Sequence, residues 1–375
     1  MAAPRIVLSA GEPSGDAHGA AVAREIRRRW PEAEMWGLGG ARMAEAGVEL
    51  LADVKDLAVL GLAEVAGRLP FFWRLLRRMR RELAARKPDL VVPIDYPGFN
   101  LRLSRSARSL GIPVLYYIAP QVWAWHRSRA DELVRLAGTL AVILPFEEPL
   151  FRSLGARVAF VGHPLLEDEP APRADWPAEV GTDPAAPVLA LFPGSRRQEV
   201  GRHLGIFRAV ATAMRARHPD VQPVFARAPS LPDGLFAGLE YPATTDTWAL
   251  LQHARAAVVK SGTSTLQAAL AGTPMVVTYR MNPVTFAVAR RLVRVDHVGL
   301  VNLVAGERAV PELLQKDATP AAIVRALEPF LDPDSPERSR TVASLARVRS
   351  RLQPPGTRGV AEHVVDLTAT LLERE

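Results

Sequence analysis

Short apolar runs alternate along the chain with longer amphipathic stretches. The apolar runs are too short for helices and mostly uncharged, which predicts strands buried on both faces of a sheet. The stretches between them repeat apolar residues at helical spacing. Strands separated by helices indicate parallel sheets in an α/β fold. The predicted strands are 5–10, 35–38, 89–95, 113–118, 139–144 and 157–161, then 188–192, 221–225, 239–241, 256–259 and 274–279.

One segment interrupts this alternation. Residues 167–187 hold five prolines and six acidic residues without clear periodicity, which is typical of a linker. The strand–helix pattern starts again at Val188. The sequence therefore predicts two Rossmann-like domains, 1–165 and 188–375, joined by a linker over 166–187. Their sheets would face an interdomain cleft, and three helical segments after Pro320 would complete the second domain.

Composition and charge narrow the function classes. The 375 residues are 48% apolar and 23% charged, as in an ordinary soluble enzyme. The absence of cysteine excludes disulfides, cysteine-ligated metals and thiol nucleophiles. Of the net charge of +7, the first 165 residues contribute most, with 23 basic and 17 acidic side chains. This asymmetry indicates an anionic partner or, alternatively, an arginine-rich composition bias. Neither a signal peptide nor a spanning helix is predicted.

The loop after the first strand is a candidate anion site. It reads Ser9-Ala-Gly-Glu-Pro-Ser-Gly-Asp16 and opens a predicted helix. Gly11 and Gly15 would allow close backbone approach, with Glu12 and Ser14 between them, and a helix N-terminus favours an anion. The alternative is a tight turn with Asp16 as a helix cap.

A second candidate follows the predicted strand 89–95. Asp95 lies where a carboxylate would be partly desolvated, which raises its pKa. It would then suit a general base for a sugar hydroxyl. The alternative is an ordinary turn or capping aspartate before Pro97-Gly98. The motif ends at Asn100, a candidate substrate-binding residue.

Aromatic and cationic residues cluster in the next loop, as Trp123, Trp125, His126, Arg127 and Arg129. This mixture is typical of sugar stacking and phosphate binding. Core packing is the alternative for at least one tryptophan. His163, which precedes a proline, is predicted to be a hydrogen-bonded hinge residue.

Two loops of the second half suit a diphosphate. Gly194, Ser195 and Arg196 would offer backbone donors, a hydroxyl and a guanidinium before a helix. The turn Ser261-Gly262-Thr263 stands at another strand-to-helix junction. A P-loop signature is missing, which argues against an ATPase or GTPase. Neither a metal site nor a cofactor is predicted.

These motifs together resemble the lipid-A-disaccharide synthase family nearly end to end. The resemblance rests on the loops described above. It rests also on five further segments: Leu60-Gly-Leu-Ala-Glu-Val65, Leu144-Pro-Phe-Glu147, Val161-Gly-His-Pro164, Met275-Val-Val-Thr-Tyr-Arg280 and Val301-Asn-Leu-Val-Ala-Gly306. The resemblance implies a GT-B fold and an inverting glycosyl transfer. Its donor would be UDP-2,3-diacylglucosamine and its acceptor 2,3-diacylglucosamine 1-phosphate (lipid X). The products would be a β-1,6-linked disaccharide 1-phosphate and UDP.

Three functional residues of the family match motifs that are intact here: Asp95, Arg196 and Asn302. Glu12 is the next candidate for the base. One position departs from the pattern, because Gln267 stands where many GT-B enzymes have a ribose-binding Glu. Gln267 would still hydrogen-bond a ribose hydroxyl, but without charge.

Two other functions compete with this one. Another GT-B enzyme acting on a UDP-aminosugar, such as a lipid-linked glucosamine transferase or an epimerase, would share the architecture. A nucleic-acid-binding surface would explain the basic half, but no reader motif supports it. A homodimer is left open.

The stretch 70–83 is predicted to be an amphipathic helix. Its apolar stripe is Phe72, Leu75, Leu76, Met79 and Leu83, and its opposite stripe is Arg74, Arg77, Arg78 and Arg81. The usual role of such a stripe is to cover the protein core. The aromatic start, the unbroken basic run and the acylated substrates instead favour a helix whose stripe enters an anionic membrane surface. The enzyme would then be cytoplasmic and peripheral on the inner face of the cytoplasmic membrane.

Overall fold

The chain folds into parallel sheets covered by helices, as the alternation of apolar runs and amphipathic stretches predicts. The computed structural model describes residues 3–57, 62–121, 127–281, 297–354, 356 and 359–373. The side chains of residues 62–67, 127–129 and 233 lie outside that description. Two units result: Met1–Pro164 together with Gln353–Glu375, and Leu165–Leu352.

In the described residues, the first unit contains the strands β1 Arg5–Ser9, β2 Glu34–Gly39, β3 Glu49–Asp53, β4 Leu90–Pro93, β5 Leu115–Tyr117, β6 Thr139–Val142 and β7 Val158–Phe160. A four-stranded sheet has the order β3-β2-β1-β4, and a three-stranded sheet has the order β5-β6-β7. Parallel bridges from Val91 to Val114 and from Ile94 to Tyr117 join the two. Every pairing is parallel, as the sequence predicts, whereas the sequence pattern does not predict β3.

Helices cover this sheet: α1 Pro13–Arg29, α2 Ala41–Glu45, α3 Val54–Leu57, α4 Leu62–Arg86, α5 Pro97–Ser109, α6 Arg127–Leu136 and α7 Glu147–Ser153. The side chains of β1 are buried on both faces, because Ile6 and Leu8 pack on the α1 side and Val7 packs on the α4 side. The carboxyl ends of neighbouring strands therefore present the loops after β1 and β4 side by side.

The second unit contains β8 Val188–Phe192, β9 Gln222–Ala226, β10 Ala243–Thr244, β11 Ala254–Lys260, β12 Met275–Tyr279 and β13 Glu312–Leu314. They form one parallel sheet in the order β10-β9-β8-β11-β12-β13. The predicted strand at 239–241 is wrong. Pairing with β9 starts only after Pro242, whose carbonyl accepts the Phe225 N–H, while Tyr241 stacks its ring on Phe225.

The helices of this unit are α8 Trp176–Val180, α9 Arg197–Arg217, α10 Thr247–His253, α11 Ser264–Leu270, α12 Leu300–Ala305, α13 Pro320–Leu331 and α14 Pro336–Leu352. The segment predicted as a linker belongs to the same unit. Trp176 is fully buried and stacks on His253 at 5.2 Å between ring centroids. Arg173 pairs with Asp246 at 3.1 Å. The predicted linker therefore packs on this unit, because burial of Trp176 stabilises that packing although the rest of the segment has the composition of a linker.

The last helix, α15 Val360–Leu372, corrects the predicted domain division. It packs on α1 in the first unit, although the sequence pattern places all residues to 375 in the second domain. Val360, Val364 and Val365 enter the same core as β1, and Arg29 pairs with Asp366 at 2.6 Å. Its apolar stripe indicates that one face of the helix is covered, but a stripe carries no information on what covers it.

The apolar stripe of α4 is also corrected. Leu75, Met79 and Leu83 are buried in the core of the first unit, and Phe72 and Leu76 pack against that core. The stripe therefore does not enter a membrane. The arginines of the opposite face are exposed. Among the helices of the described residues, none combines the length and the apolarity needed to cross a bilayer.

Candidate active site

The loop after β4 holds Asp95 in an unusual backbone conformation. Asp95 and Tyr96 both have positive φ, at 46° and 49°. Such a conformation is costly for residues other than glycine and persists only where the surroundings fix it. The Asp95 N–H donates to the carbonyl of Tyr117 at 3.0 Å, and the Asp95 carbonyl accepts from the Tyr116 hydroxyl at 2.8 Å. These bonds tie the loop to β5.

The side chain of Asn100 holds the same loop in place by hydrogen bonds. This side chain is fully buried. The amide Nδ2 donates to the carbonyls of Asp95 at 2.8 Å and Ser9 at 3.0 Å, and Oδ1 accepts from the Ser9 hydroxyl at 2.7 Å. The sequence predicts a substrate-binding role for Asn100. Its polar atoms are bonded within the protein, so it joins the ends of β1 and β4 and positions Asp95. Its role in substrate binding stays a prediction.

The carboxyl group of Asp95 has a strongly perturbed pKa. Desolvation by burial is the main cause, the negative charge of Glu12 adds to it, and together they raise the pKa of Asp95 to about 6. Glu12 reaches this position because the loops after β1 and β4 are neighbours. A carboxylate that titrates near physiological pH is well suited to accept a proton.

The glycine-containing loop after β1 approaches Asp95 closely. A Cβ on Gly11 would lie 2.2 Å from Cδ1 of Tyr96, so only glycine fits there. Glu12, at the N-cap of α1, and Ser14 are exposed. Gly15 packs tightly, because a Cβ there would lie 3.2 Å from the Cβ of Ala10.

Asp16 is buried in the same loop and has a structural role. Its carboxylate accepts from the N–H groups of Gly40 at 2.6 Å and Met43 at 3.1 Å, so it caps α2. Asp16 is thus a capping residue, but it caps α2 and not α1, the helix that this loop opens.

Several predicted residues of the first unit lie outside the described residues or at their margin. Trp123, Trp125 and His126 are outside them, and Arg127 and Arg129 are described only in their backbone, at the start of α6. His163 is buried. Desolvation, with a smaller contribution from His18, lowers the pKa of His163 to about 3, so its ring is neutral at physiological pH.

In the second unit, a turn at the carboxyl end of β8 presents Ser195 and Arg196. Gly194 has a φ of +128°, and a Cβ there would lie 2.7 Å from the Cβ of Glu199. Ser195 and Arg196 are exposed, and Arg196 is the N-cap residue of α9. The turn therefore offers a hydroxyl and a guanidinium at the start of a long helix, which favours an anion.

The second predicted turn stands at the end of β11, which pairs with β8. The Ser261 hydroxyl is engaged, because it donates to the carbonyl of Val298 at 2.9 Å. Gly262 has a φ of +155°, and Thr263 is exposed. Gln267 is partly buried and its Nε2 donates to the Thr247 hydroxyl at 2.9 Å. The structure thus brings both turns to neighbouring strand ends.

Asn302 is fully buried in α12. Its Nδ2 donates to the Val310 carbonyl at 3.0 Å and to Oε1 of Glu312 at 2.8 Å, and its Oδ1 accepts from the Val310 N–H at 3.0 Å. The resemblance implies a substrate-binding role for Asn302. The structure gives it bonds within the protein, and its partner Glu312 accepts from the N–H groups of Val298 and Gly299 before α12. The substrate-binding role of Asn302 stays a prediction.

Two supporting residues, Tyr116 and Glu199, are not predicted by the sequence pattern. Tyr116 supports the Asp95 carbonyl, and the carboxylate of Glu199 accepts from the N–H groups of Ser195 at 3.2 Å and Arg196 at 3.4 Å. Of these two residues, only Glu199 could have been found from the sequence. It stands three residues after the N-cap, which is the position from which an acidic side chain reaches back to the N-cap N–H.

Comparisons with known proteins agree with this architecture. The family model for lipid-A-disaccharide synthetase matches residues 6–354. The lipid-A-disaccharide synthase of Geobacter sulfurreducens is 42% identical, over 99% of this chain and 98% of its own length. That of Anaeromyxobacter dehalogenans is 41% identical, over 96% and 97%.

Solved structures share the fold at low sequence identity. The MnaA–UDP complex of S. aureus superposes with a TM-score of 0.67 at 11% identity, covering 99% of this chain and 97% of that chain. The calicheamicin glycosyltransferase CalG4 has a TM-score of 0.60 at 21% identity, covering 100% and 99%. The predicted GT-B fold is thereby confirmed. The chain belongs to the lipid-A-disaccharide synthase family, and it is a glycosyltransferase that acts in the formation of the lipid A disaccharide.

Proposed function

We propose that the enzyme transfers 2,3-diacylglucosamine from UDP to the 6-hydroxyl of 2,3-diacylglucosamine 1-phosphate, with inversion at the anomeric carbon. The observation that carries this proposal is Asp95, a positioned carboxylate with a pKa of about 6 at the end of a buried strand. Family membership supports the substrates, because the curated relatives are named for the disaccharide that they make.

Asp95 acts as the general base in this proposal. Its ionised carboxylate accepts the proton of the acceptor 6-hydroxyl while that oxygen attacks the anomeric carbon. The bond from the anomeric carbon to the diphosphate oxygen breaks on the opposite face, and UDP leaves with the bonding electrons. The products are the β-1,6-linked disaccharide 1-phosphate and UDP, and the proton remains on Asp95 until solvent removes it.

The second unit binds the donor. Arg196 balances the charge that develops on the departing diphosphate, with the Ser195 hydroxyl and the backbone of the turns at Gly194 and Gly262 beside it. Thr263 is exposed and free to contribute its hydroxyl. Gln267 binds the ribose through its amide. Trp123 and Arg127 are proposed to bind the acceptor sugar and its phosphate.

A direct assay tests the proposed reaction. The purified protein is mixed with both acylated substrates, and mass spectrometry follows UDP and the disaccharide 1-phosphate. Each substrate alone is the control, and neither should yield UDP. Formation of an epimerised sugar nucleotide from UDP-N-acetylglucosamine alone would instead favour an epimerase and contradict the proposal.

The pH dependence of the reaction should report the interaction of Asp95 with Glu12. Because Asp95 must be ionised to accept a proton, we expect kcat/KM to fall as the pH drops below about 6. Glu12→Gln removes a repelling negative charge, which lowers the pKa of Asp95 and moves this acid limb to lower pH. Glu45→Gln, at an exposed position on α2, is the control and should leave the limb in place. An unmoved limb in Glu12→Gln would show that Glu12 does not act on Asp95 through its charge.

We further propose that the outer face of α4 contacts the inner surface of the cytoplasmic membrane. Among the described side chains of this helix, the large apolar ones that are exposed are Leu69, at 50%, and Trp73, at 62%. The arginines of the same helix, Arg74, Arg77, Arg80 and Arg81, are also exposed. Tryptophan at the headgroup level and arginine beside anionic lipids are the side chains that an interfacial helix uses. Substrates with acyl chains would be reached from this surface.

Substitutions on the two faces of α4 should separate these roles. Leu69→Ser with Trp73→Ser is expected to weaken binding to vesicles of anionic phospholipid with little change in melting temperature, because both side chains are exposed. Phe72→Ser with Leu76→Ser should lower the melting temperature, because both pack on the core. Vesicle sedimentation and thermal unfolding measure the two effects. Parental vesicle binding by the Leu69 and Trp73 variant would place the membrane surface elsewhere.

A further inference from the structure

A partly buried ion pair adjoins the first donor turn. Nζ of Lys260, the last residue of β11, is 2.8 Å from Oε1 of Glu199 in the first turn of α9. The two side chains are only 15% and 19% exposed. Where a pair is largely shielded from water, loss of one partner leaves an uncompensated charge. None of the donor-binding roles proposed above uses this pair.

The carboxylate of Glu199 has two functions in this arrangement. Oε1 receives Lys260, while Oε2 accepts from the N–H groups of Ser195 and Arg196. Gly194 completes the fit, since any Cβ there would collide with Glu199. The conformation of the turn therefore depends directly on the position of one carboxylate.

The surroundings keep that carboxylate charged. Burial disfavours its ionised form, but the hydrogen bond and charge of Lys260 outweigh burial, with help from the Ser195 N–H and the charge of Arg196. The pKa of Glu199 is consequently lowered. The ammonium of Lys260 also lies over the ring of Tyr279, 5.3 Å from the ring centroid.

A histidine fixes the helix that carries Glu199. Nε2 of His203 lies 2.9 Å from the backbone N–H of Arg280 and must accept from it, so Nδ1 carries the proton and donates to the Glu199 carbonyl at 2.8 Å. Burial is the main cause that lowers the pKa of His203, which keeps this neutral form. The start of α9 is thus bound to β11 through Lys260 and to the end of β12 through His203.

We infer that Lys260 and Glu199 are a pair of positioning residues that holds the Gly194–Arg196 turn in the geometry that binds the donor diphosphate. This inference rests on the proposed function, in which that turn receives UDP. Lys260 acts by neutralising Glu199, which would otherwise repel the diphosphate, and Glu199 acts by orienting the N–H groups of the turn. The pair also joins the first turn to the strand that leads into the second.

Charge removal in two steps tests the pair. Lys260→Met leaves Glu199 uncompensated, and we expect the Kd for UDP to rise about 10-fold or more. Adding Glu199→Gln to that variant removes the repelling charge but keeps an oxygen that accepts from the turn. The double variant should therefore bind UDP more tightly than Lys260→Met alone. Lys260→Arg keeps the charge and should stay near the parent.

A direct contact between Lys260 and the diphosphate would give the opposite result. The double variant would then bind UDP no better than Lys260→Met, and the inference would be overturned. Titration calorimetry with UDP provides the Kd, and thermal unfolding shows whether each variant is folded. Arg217→Met breaks an ion pair with Glu328 at the other end of α9 and is the matched control. It should change neither UDP binding nor the turn.

Hydrogen exchange of the ligand-free protein separates this inference from the proposed function. Exchange in residues 193–199 should be faster in Glu199→Ala and in Lys260→Met than in the parent and in Arg217→Met. Exchange could be faster in both variants while the parent binds no UDP. That result would support the role of the pair in holding the turn, but it would contradict the proposal that the turn binds the donor. Unchanged exchange in both variants would reject the pair, whether or not the parent binds UDP.

Discussion

Replacing Asp95 with asparagine is expected to lower kcat by about 10²- to 10⁴-fold, which is the usual loss when a general base is removed. Asparagine has almost the same shape but cannot accept the proton of the acceptor hydroxyl. The hydrogen bonds that hold residue 95 use its backbone, so the loop should keep its conformation. Steady-state kinetics with both acylated substrates measures the loss, and the Kd for UDP should stay near that of the parent.

The stability of the same variant provides a control. The folded-state pKa of Asp95 is about 6, above the ordinary aspartate value of 3.8, so burial of this group costs stability as the pH rises through that window. Below the window both states hold the proton and no cost remains. Above about pH 6 the cost is complete, and asparagine avoids it. We therefore expect Asp95→Asn to melt at or above the parental temperature at about pH 7.5, and below about pH 4 this advantage should disappear.

A small kinetic effect would contradict the assignment. If kcat of Asp95→Asn stays within a few fold of the parent, another group removes the proton, and Glu12 becomes the next candidate. A low kcat with a melting temperature many degrees below the parent would point to a damaged loop. In that case the carboxylate would not be shown to act as a base.

Replacing Arg196 with alanine is expected to reduce kcat/KM by about 10²- to 10³-fold, as for removal of other groups that stabilise developing charge. The guanidinium is exposed at the N-cap of α9 and free to bind the diphosphate. Its interaction strengthens as UDP departs, so kcat should fall more than the affinity for UDP. Arg196→Lys should recover activity only in part, because an ammonium cannot make a bidentate contact.

The neighbouring residue supplies the matched control. Arg197, the first residue of α9, is also exposed and has no proposed role, so Arg197→Ala should change kcat/KM only a few fold. Equal losses in both alanine variants would indicate a general loss of positive charge rather than a specific contact. Full activity of Arg196→Lys would disprove the bidentate contact. Parental activity of Arg196→Ala would remove Arg196 from the mechanism.

Features that depend on a few consecutive residues could be predicted from the sequence. Apolar runs of five or six residues predicted the strands β1, β8 and β12 closely. Their order predicted parallel sheets, and parallel sheets bring strand ends to one edge. The positions of Asp95 and Arg196 at strand ends therefore follow from the sequence pattern alone. The resemblance, carried by ordered motifs, added the family and the GT-B fold, which the comparisons confirm.

Contacts between distant parts of the chain were visible only in the tertiary structure. Lys260 and Glu199 are 61 positions apart, and they meet because β8 and β11 are neighbours. Asn100 bonds to Ser9, 91 positions away, and so positions the loop of Asp95, while its role in substrate binding stays a prediction. A side chain that binds a ligand and one that satisfies a buried partner have the same chemistry in the sequence, and only the partner's position distinguishes them.

Two predictions about helices were wrong for the same reason: the stripe of α4 was predicted to enter a membrane, and α15 was predicted to belong to the second domain. The stripes of α4 and α15 are apolar faces, as their periodicity predicts, but a periodic pattern does not specify what covers it. The core of the first unit covers Leu75 and Met79 of α4, and α15 returns to that unit. Helical periodicity is a local property of the chain, whereas the choice among core, membrane and a second sheet depends on the packing of the whole fold.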